Sequence, residues 1–354
     1  MSELKLFAGN SHLEFSRKVA GILNRPLHDP TEADKKGRRQ VTWFSNRNVQ
    51  VDIKENVRGC DCFVIQTQAE GAEFCGLDKD GQPKFGPKLT PNDFLMELLM
   101  LVKALSSAKA GRVTAGMPYF PYIRSDKKDH PRVAIGARLV ADLLKTAGAD
   151  AVLIMDPHFS QIHGFFDEKE VGVDTLRAKP IFVRDIRQRY DLRNCVVGAP
   201  DINEAKHSGA VATMMKLPIA IIDKRRTGDD EKAKPVAMIG DVKGKCVLMF
   251  DDETASGNTI FESCNFLMEQ GATSLSAFIT HGVLSVPAGV VRLCEHPLLR
   301  ELVITDTIYL SPEKRHPKIR VVSVADNFAE AIRRLHEGLS LDEYKESLYE
   351  GLNH

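Results

Sequence analysis

The chain has 354 residues, 43% apolar and 27% charged, which is room for two ordinary domains with their own cores and too apolar for a disordered chain. Lys plus Arg and Asp plus Glu balance at 48 each, so no global field argues for nucleic acid or a membrane surface, and any anion site must be a local arrangement. The seven cysteines (60, 62, 75, 195, 246, 264 and 294) show no Cys-x-x-Cys spacing and mostly sit in apolar runs, so buried free thiols of a reducing cytoplasm are expected rather than disulfides or a metal site.

The N-terminal Met1-Ser2-Glu3-Leu4-Lys5-Leu6-Phe7 has no signal-peptide pattern, and no apolar run nears 18 residues. Gly71 to Pro91 is rich in Gly and Pro and reads as an irregular excursion. Its Asp78-Lys79-Asp80-Gly81 lacks the remaining calcium-loop ligands and reads as a polar turn. Val113 to Met117 is a short strand entering Pro118-Tyr119-Phe120-Pro121-Tyr122, followed by the charged run Arg124 to Asp129. Arg and Lys beside Asp in a loop can hold a triphosphate and its magnesium; a solvated charge run is the alternative. Helical spacing covers Val133 to Thr146, and Ala151 to Met155 is a buried strand ending in Asp156-Pro157-His158. Ligands bind at the C-terminal ends of such strands, so His158 is a candidate magnesium or phosphate residue, against the alternative of a hydrogen-bonded structural histidine.

The second half repeats the theme, with strands at 195–197, 219–222, 247–250, 275–279, 302–304 and 319–322 whose near-continuous apolar character suits parallel sheets covered on both faces. Ala199-Pro200-Asp201 places an acid at a strand end. Ile221-Ile222-Asp223 runs into the cations Lys224, Arg225 and Arg226, and fixed positive charge is what a phosphoryl-transfer transition state needs. The charged segment Thr227 to Lys234 reads as a loop able to close over phosphates. An internal echo joins a helix, Gly148, a strand and His158 to a helix, Gly271, a strand and His281, with the His ten positions after the Gly each time; it suggests a duplicated domain.

The densest signal is Val247 to Thr259, an apolar strand that delivers Asp251 and Asp252 into the small-residue turn Ala255-Ser256-Gly257-Asn258-Thr259, with helical spacing from Ile260 onward. Free backbone N–H groups and the helix dipole make such a turn an anion site, small side chains allow close approach, and Ser256 and Thr259 add hydroxyls. Two acids beside it would repel a bare phosphate and are better suited to ribose hydroxyls or a metal ion. Together these features suit a sugar phosphate. The alternative is an ordinary strand-to-helix turn with a surface Asp pair.

Taken in order, Phe7 to Ser11, Phe44-Ser45-Asn46, Glu55 to Gly59, Leu95 to Leu99, Pro118 to Tyr122 with Arg124 to Asp129, Leu139 to Leu144 and Gln161 to Asp167 resemble the landmarks of the ribose-phosphate diphosphokinases, or phosphoribosyl pyrophosphate (PRPP) synthetases. Lys224 to Arg226, Gly240-Asp241-Val242, Asp251-Asp252 and Thr280 to Ser285 continue that match along nearly the whole chain. The resemblance implies an α/β fold of two tandem type I phosphoribosyltransferase-like domains, each a mainly parallel sheet flanked by helices, at 1–174 and 175–330 with a helical tail at 331–354. It implies transfer of the diphosphoryl group of Mg-ATP to the 1-hydroxyl of ribose 5-phosphate, in a homo-oligomer of dimer units, typically a hexamer, with no nucleic acid or membrane partner.

By position, Phe44, Asn46, Asn48, Arg124, Ser125, Lys128 and Asp129 would contact ATP, the first three from a neighbouring subunit. His158 and Asp201 would organise Mg2+, the one cofactor implied. Asp251 and Asp252 would hold ribose hydroxyls, Ala255, Ser256, Gly257, Asn258 and Thr259 would cradle the 5-phosphate, and Lys224 and Arg226 would be catalytic. The chain departs from the pattern at Asn48, where an acid is usual, at Ser125 (Gln), Pro157 (Leu), Asn203-Glu204 (two Gly), Ala255 (Asp) and Asn258 (Gly). Those departures leave a second reading, a catalytically silent regulatory subunit. A third, a nucleobase phosphoribosyltransferase, does not account for the intact first half.

Overall fold

The computed structural model of the chain describes all residues except 1, 36, 68–70, 78–82, 129, 168, 203, 226–233, 351 and 353–354; the side chains of 71–77, 83–87, 225, 234 and 236 are also outside the description. The chain divides into two compact units, Met1–Leu176 with Thr307–Tyr309 and Val324–Leu341, and Arg177–Asp306 with Leu310–Ser323 and Asp342–His354.

In the first unit, β1 (Leu4–Ala8) leads to α1 (Leu13–Leu23) and β2 (Leu27–His28), then to a hairpin of β3 (Val41–Trp43) and β4 (Val49–Val51). After β5 (Asp61–Ile65) comes a second antiparallel hairpin, β6 (Gly71–Leu77) with β7 (Pro83–Leu89). Helix α2 (Pro91–Ser107), β8 (Arg112–Met117), α3 (Gly136–Ala147), β9 (Ala151–Met155) and β10 (Gly172–Leu176) follow. The main sheet is parallel with order β10-β9-β8-β5-β1-β2. Its strands are buried on both faces, as in Phe7, Phe63, Val64, Ala115, Val152 and Ile154, all fully buried, which is why they read as unbroken apolar runs.

The second unit opens with α4 (Lys179–Arg189), β11 (Cys195–Ala199), α5 (Ala205–Met215), β12 (Ile219–Arg225) and β13 (Lys234–Ile239). It continues with β14 (Cys246–Thr254), α6 (Asn258–Glu269), β15 (Ser274–Gly282), α7 (Pro287–Glu295), β16 (Leu299–Thr305) and β17 (Ile319–Val322). Sheet order is β13-β12-β11-β14-β15-β16-β17, parallel throughout except for β13, which runs antiparallel at the edge. Helix α8 (Ala325–Glu337) then belongs to the first unit, where Phe328 packs edge-on against Phe15 of α1 at 5.4 Å. Its end is fixed there by Arg112, which donates to the Leu335 carbonyl at 2.8 Å, and by His336, whose Nδ1 is 2.8 Å from Asp61. The expected tail 331–354 is thus shared, since α8 counts with the first unit and most of α9 (Leu341–Glu350) with the second.

The two main sheets have the same connectivity. Setting aside the antiparallel edge strand β13, in each the second strand pairs on one flank of the first, the next pairs on the other flank, and later strands add outward, so β5 corresponds to β14, β8 to β15 and β9 to β16. This duplicated plan gives two tandem α/β units, each a mainly parallel sheet flanked by helices, as the resemblance implies. The histidine echo, however, matches β9 to β15 and is out of step by one strand. What it detects is a generic joint, a left-handed glycine after a helix (Gly148 φ 103°, Gly271 φ 81°) that turns the chain into a parallel strand.

Three expectations are corrected. The described residues of 71–91 are not an irregular excursion: Gly71–Leu77 and Pro83–Leu89 pair as β6 and β7, with register shifts, and Pro91 opens α2. The helix expected from Val133 starts at Gly136, because residues 133–135 belong to a loop tied to Ser125. The helix expected from Ile260 starts two residues earlier, at Asn258, because Gly257 caps it with φ 74°. Of the loop Thr227 to Lys234, residues 227–233 lie outside the described residues, as do Asp78, Lys79, Asp80 and Gly81. The six described cysteines are free thiols. Burial pushes Cys62 and Cys264 up to about 12, which leaves both as inert core groups. No helix among the described residues is long and apolar enough to cross a membrane.

Candidate active site

In the second unit the polar residues of interest gather where parallel strands end, the position at which ligands bind in open α/β sheets. Strand β14 supplies Asp251 and Asp252, both partly buried, then buried Glu253 and Thr254. The Asp252 N–H donates to Asp251 Oδ1 at 2.9 Å, so the acids share one local geometry. Burial first, then Asp252, then Glu204, push the Asp251 carboxyl well above the usual carboxylate range.

The turn that follows is anchored at both sides. The Ala255 carbonyl accepts the Ser285 N–H at 2.8 Å, and Thr254 accepts that of Leu284 at 3.1 Å. Gly257 is required at its position, because a Cβ there would sit in the left-handed region and 3.1 Å from Leu293 Cδ2. It provides no side-chain cap, so the helix N-terminus keeps backbone donors for an anion; the Asn258 N–H faces Ser256 Oγ at 3.3 Å. Asn258 is held from α7 by Arg292, which donates to its Oδ1 at 2.6 Å while lying over the Phe261 ring at 4.1 Å. Arg292 thereby places a guanidinium at the mouth of the turn.

Lys224 lies near the end of β12, where the pairing with β13 shifts register. Its ammonium donates to Ser263 Oγ at 3.3 Å on α6. Burial lowers the Lys224 pKa from its usual value, and Asp201, Asp251 and Glu262 pull it back up. Asp201 and Asp251 both therefore lie within electrostatic reach of Lys224. Asp201 turns the chain into α5 by accepting the Glu204 N–H at 3.0 Å, and Glu204 pairs with Lys179 at 3.5 Å. Arg226 lies outside the described residues.

In the first unit Phe44, Asn46 and Asn48 sit together at the tip of the β3–β4 hairpin, with Phe44 46% exposed. The tip is locked by Phe44 N–H to the Asn48 carbonyl at 2.9 Å and Asn48 N–H to Asn46 Oδ1 at 3.0 Å. Its base is pinned through Trp43, whose indole donates to Glu97 Oε2 at 2.9 Å. Glu97 is fully buried in α2 and also accepts from the Asn10 backbone and side chain at 2.7 and 2.9 Å and from Gln66 at 3.0 Å. Burial pushes its pKa up and these donors oppose that.

Of the 124–129 run, Arg124 and Lys128 are exposed, and Asp129 lies outside the described residues. Ser125 is structurally committed: its Oγ accepts the Gly136 N–H at 3.0 Å and donates to the Ala134 carbonyl at 3.2 Å. Between them Asp126 is buried, and neither carboxylate oxygen has a hydrogen-bond partner among the described residues. An ionised group so placed is unfavourable unless a cation or donor completes it. His158 follows β9, partly buried, its ring edge-on to Phe159 at 4.2 Å. Asp156, two residues before it, is buried with φ 35°, a strained value for a non-glycine residue.

Sequence reading missed Glu97, Ser263, Glu262 and Arg292, and took Asp126 only as part of the charged run 124–129. A signal existed for Glu97, a lone acid inside the apolar run Phe94 to Leu101. Nothing local distinguished the others from surface polar residues.

Residues 4–148 match the N-terminal domain of ribose phosphate pyrophosphokinase, and residues 226–344 the phosphoribosyl synthetase-associated domain. The chain is 40% identical to a ribose-phosphate pyrophosphokinase of Brucella melitensis biotype 1, covering 94% of this chain and 96% of that one. It is 40% identical to another of that name from Clostridium acetobutylicum, covering 95% of each. Among solved structures it is similar to the phosphoribosylpyrophosphate synthetase of Mycobacterium smegmatis, with TM-score 0.80 and 36% identity over 95% of this chain and all of that one. By these matches along nearly its whole length, this chain belongs to the ribose-phosphate pyrophosphokinase family.

Proposed function

We propose that the chain is an active ribose-phosphate diphosphokinase, transferring the β,γ-diphosphoryl group of Mg-ATP to the 1-hydroxyl of ribose 5-phosphate to give PRPP and AMP. The observation that carries this reading is the cluster in the second unit, where a glycine-capped helix N-terminus, Asp251 and Asp252, and the Lys224 ammonium converge. The turn 255–259 holds the 5-phosphate through backbone N–H groups and hydroxyls, and Asp251 and Asp252 hold ring hydroxyls so that the anomeric oxygen is presented for in-line attack. Lys224, with Arg226, stabilises negative charge spreading over the transferred oxygens.

The ATP side is assigned to the first unit, with the hairpin tip Phe44, Asn46 and Asn48 offered to the adenine bound by a neighbouring copy, and Arg124, Lys128 and Asp129 on the phosphates. Ser125 acts there by shaping the loop. The residues fit a hard dication, since Asp126 carries two unpartnered buried oxygens and Asp251 is crowded by other acids. His158 and Asp201 would hold Mg2+, which supplies neutralisation of the polyphosphate when bound. A cytoplasmic homo-oligomer, a hexamer of dimer units, completes the proposal.

A second reading, a catalytically silent regulatory subunit, draws on Glu204, whose charge adds to the forces disfavouring ionised Asp251. Incubation with Mg-ATP and ribose 5-phosphate separates the two: stoichiometric AMP and PRPP support the enzyme, whereas binding of both substrates without product supports the silent subunit.

A further inference from the structure

We propose that His28, Glu32 and Glu55 form a binding site for a divalent first-row transition ion of the Zn2+ type, a role the diphosphokinase reading leaves unassigned. One ligand atom from each lies within 4.8 Å of the other two. His28 Nδ1 and Glu32 Oε2 are 3.1 Å apart, the separation that two donors each about 2.1 Å from one ion subtend at roughly a right angle. The Glu55 side chain is 44% exposed and pairs with Lys5 at 3.4 Å, so reaching an ion requires it to turn from that partner.

The other two donors stand on a fixed frame. His28 ends β2 and pairs in register with Phe7, its ring stacks on the Phe7 ring at 4.9 Å, and its carbonyl accepts from Gln40 at 3.2 Å. The turn carrying Glu32 is closed by its N–H to the Asp29 carbonyl at 3.1 Å and by the Gln40 N–H to its own carbonyl at 2.7 Å. Asp29 Oδ1 accepts both the N–H and the hydroxyl of Thr31, which ties down the same turn. Such backing is what holds donors near a coordination geometry without the ion.

Lys5 already pairs with the neighbouring acids, 3.8 Å from Glu3 and 3.4 Å from Glu55. Lys5 competes for Glu55 but retains Glu3 when Glu55 turns to the metal. One imidazole with two carboxylates favours a borderline ion over Mg2+ or Ca2+, which prefer all-oxygen sites. Three protein donors leave positions for water.

The test is Zn2+ binding to the full-length protein, stripped with chelator, followed by equilibrium dialysis and by anomalous diffraction at the zinc edge. The expected result is one Zn2+ per chain more than in His28→Gln, affinity at least tenfold weaker at this site in Glu55→Gln, and an anomalous peak between His28 and Glu32. Other zinc sites cancel in the difference, and Glu55→Gln changes an exposed side chain should the histidine variant fold poorly. Equal stoichiometry and affinity in wild type and both variants, or no peak at His28 while other sites fill, would overturn the assignment.

Discussion

Replacing Lys224 with Met keeps the aliphatic stem and removes the charge, which isolates what the ammonium does. In the resting protein that charge is held by Asp201, Asp251 and Glu262 against the cost of burial, which is the larger influence on its pKa. Removing one partner of a buried charge cluster leaves Asp201, Asp251 and Glu262 uncompensated, so some loss of stability accompanies the substitution. A further penalty falls on the reaction, where one preorganised charge or donor acting on the transition state contributes about 2.7–4 kcal/mol, or on the order of 10²–10³ in kcat. The expectation is therefore a kcat reduced about 10²–10³-fold, with the KM for ribose 5-phosphate within about twofold and a melting temperature that is lowered but still well above the assay temperature. AMP and PRPP formation at saturating substrates, with thermal melts of the same samples, reads all three. A kcat within threefold of wild type, or a loss that simply tracks unfolding, would remove Lys224 from transition-state stabilisation.

The raised Asp251 pKa gives a pH prediction with a definite sign. The folded carboxyl holds its proton more tightly than the unfolded one, so its contribution to stability is full below the unfolded value of 3.8 and is lost as pH rises through the folded value. Asp251→Asn should therefore gain stability over wild type as pH climbs from about 4 towards neutral, and a gap in denaturation midpoints that stays flat with pH would contradict the cause given. Gly257→Ala forces a left-handed alanine against Leu293, a cost of about 1–2 kcal/mol, and should raise the KM for ribose 5-phosphate several-fold; unchanged binding would mean the turn does not hold the phosphate. Trp43→Phe removes one of the donors to buried Glu97, costs about 1–3 kcal/mol of stability, and should raise the KM for ATP but not that for ribose 5-phosphate; equal rises in both would point to a general structural effect.

The parallel strands were legible because strands buried on both faces must be continuously apolar, and those around Val113, Ala151, Val247 and Leu275 stand where expected. The joint between β14 and α6 was legible too, since an apolar run, then small residues, then helical spacing marks a strand, a turn and a helix. Pairing was not legible. Nothing in Gly71 to Pro91 announces a hairpin, because its stability comes from a partner strand rather than from local preference, and Lys234–Ile239 adds to the sheet edge from within a charged stretch. The return of α8 to the first unit was hidden likewise, because an amphipathic pattern marks Phe328 as apolar without saying that Phe15 covers it. Within the candidate site, the strand-end acids were visible from their position. Ser263 beneath Lys224 and Arg292 against Asn258 were not, as each depends on the packing of a helix that sequence spacing does not specify.

The central claim is diphosphoryl transfer by a turn and an acid pair built to hold a sugar phosphate. Incubating the purified chain with Mg-ATP and ribose 5-phosphate, and following products by phosphorus NMR, tests it directly. AMP and PRPP formed in equal amounts, with no ADP accumulating, is the predicted result. Both substrates binding with neither product appearing, or ADP appearing in place of AMP, would contradict it.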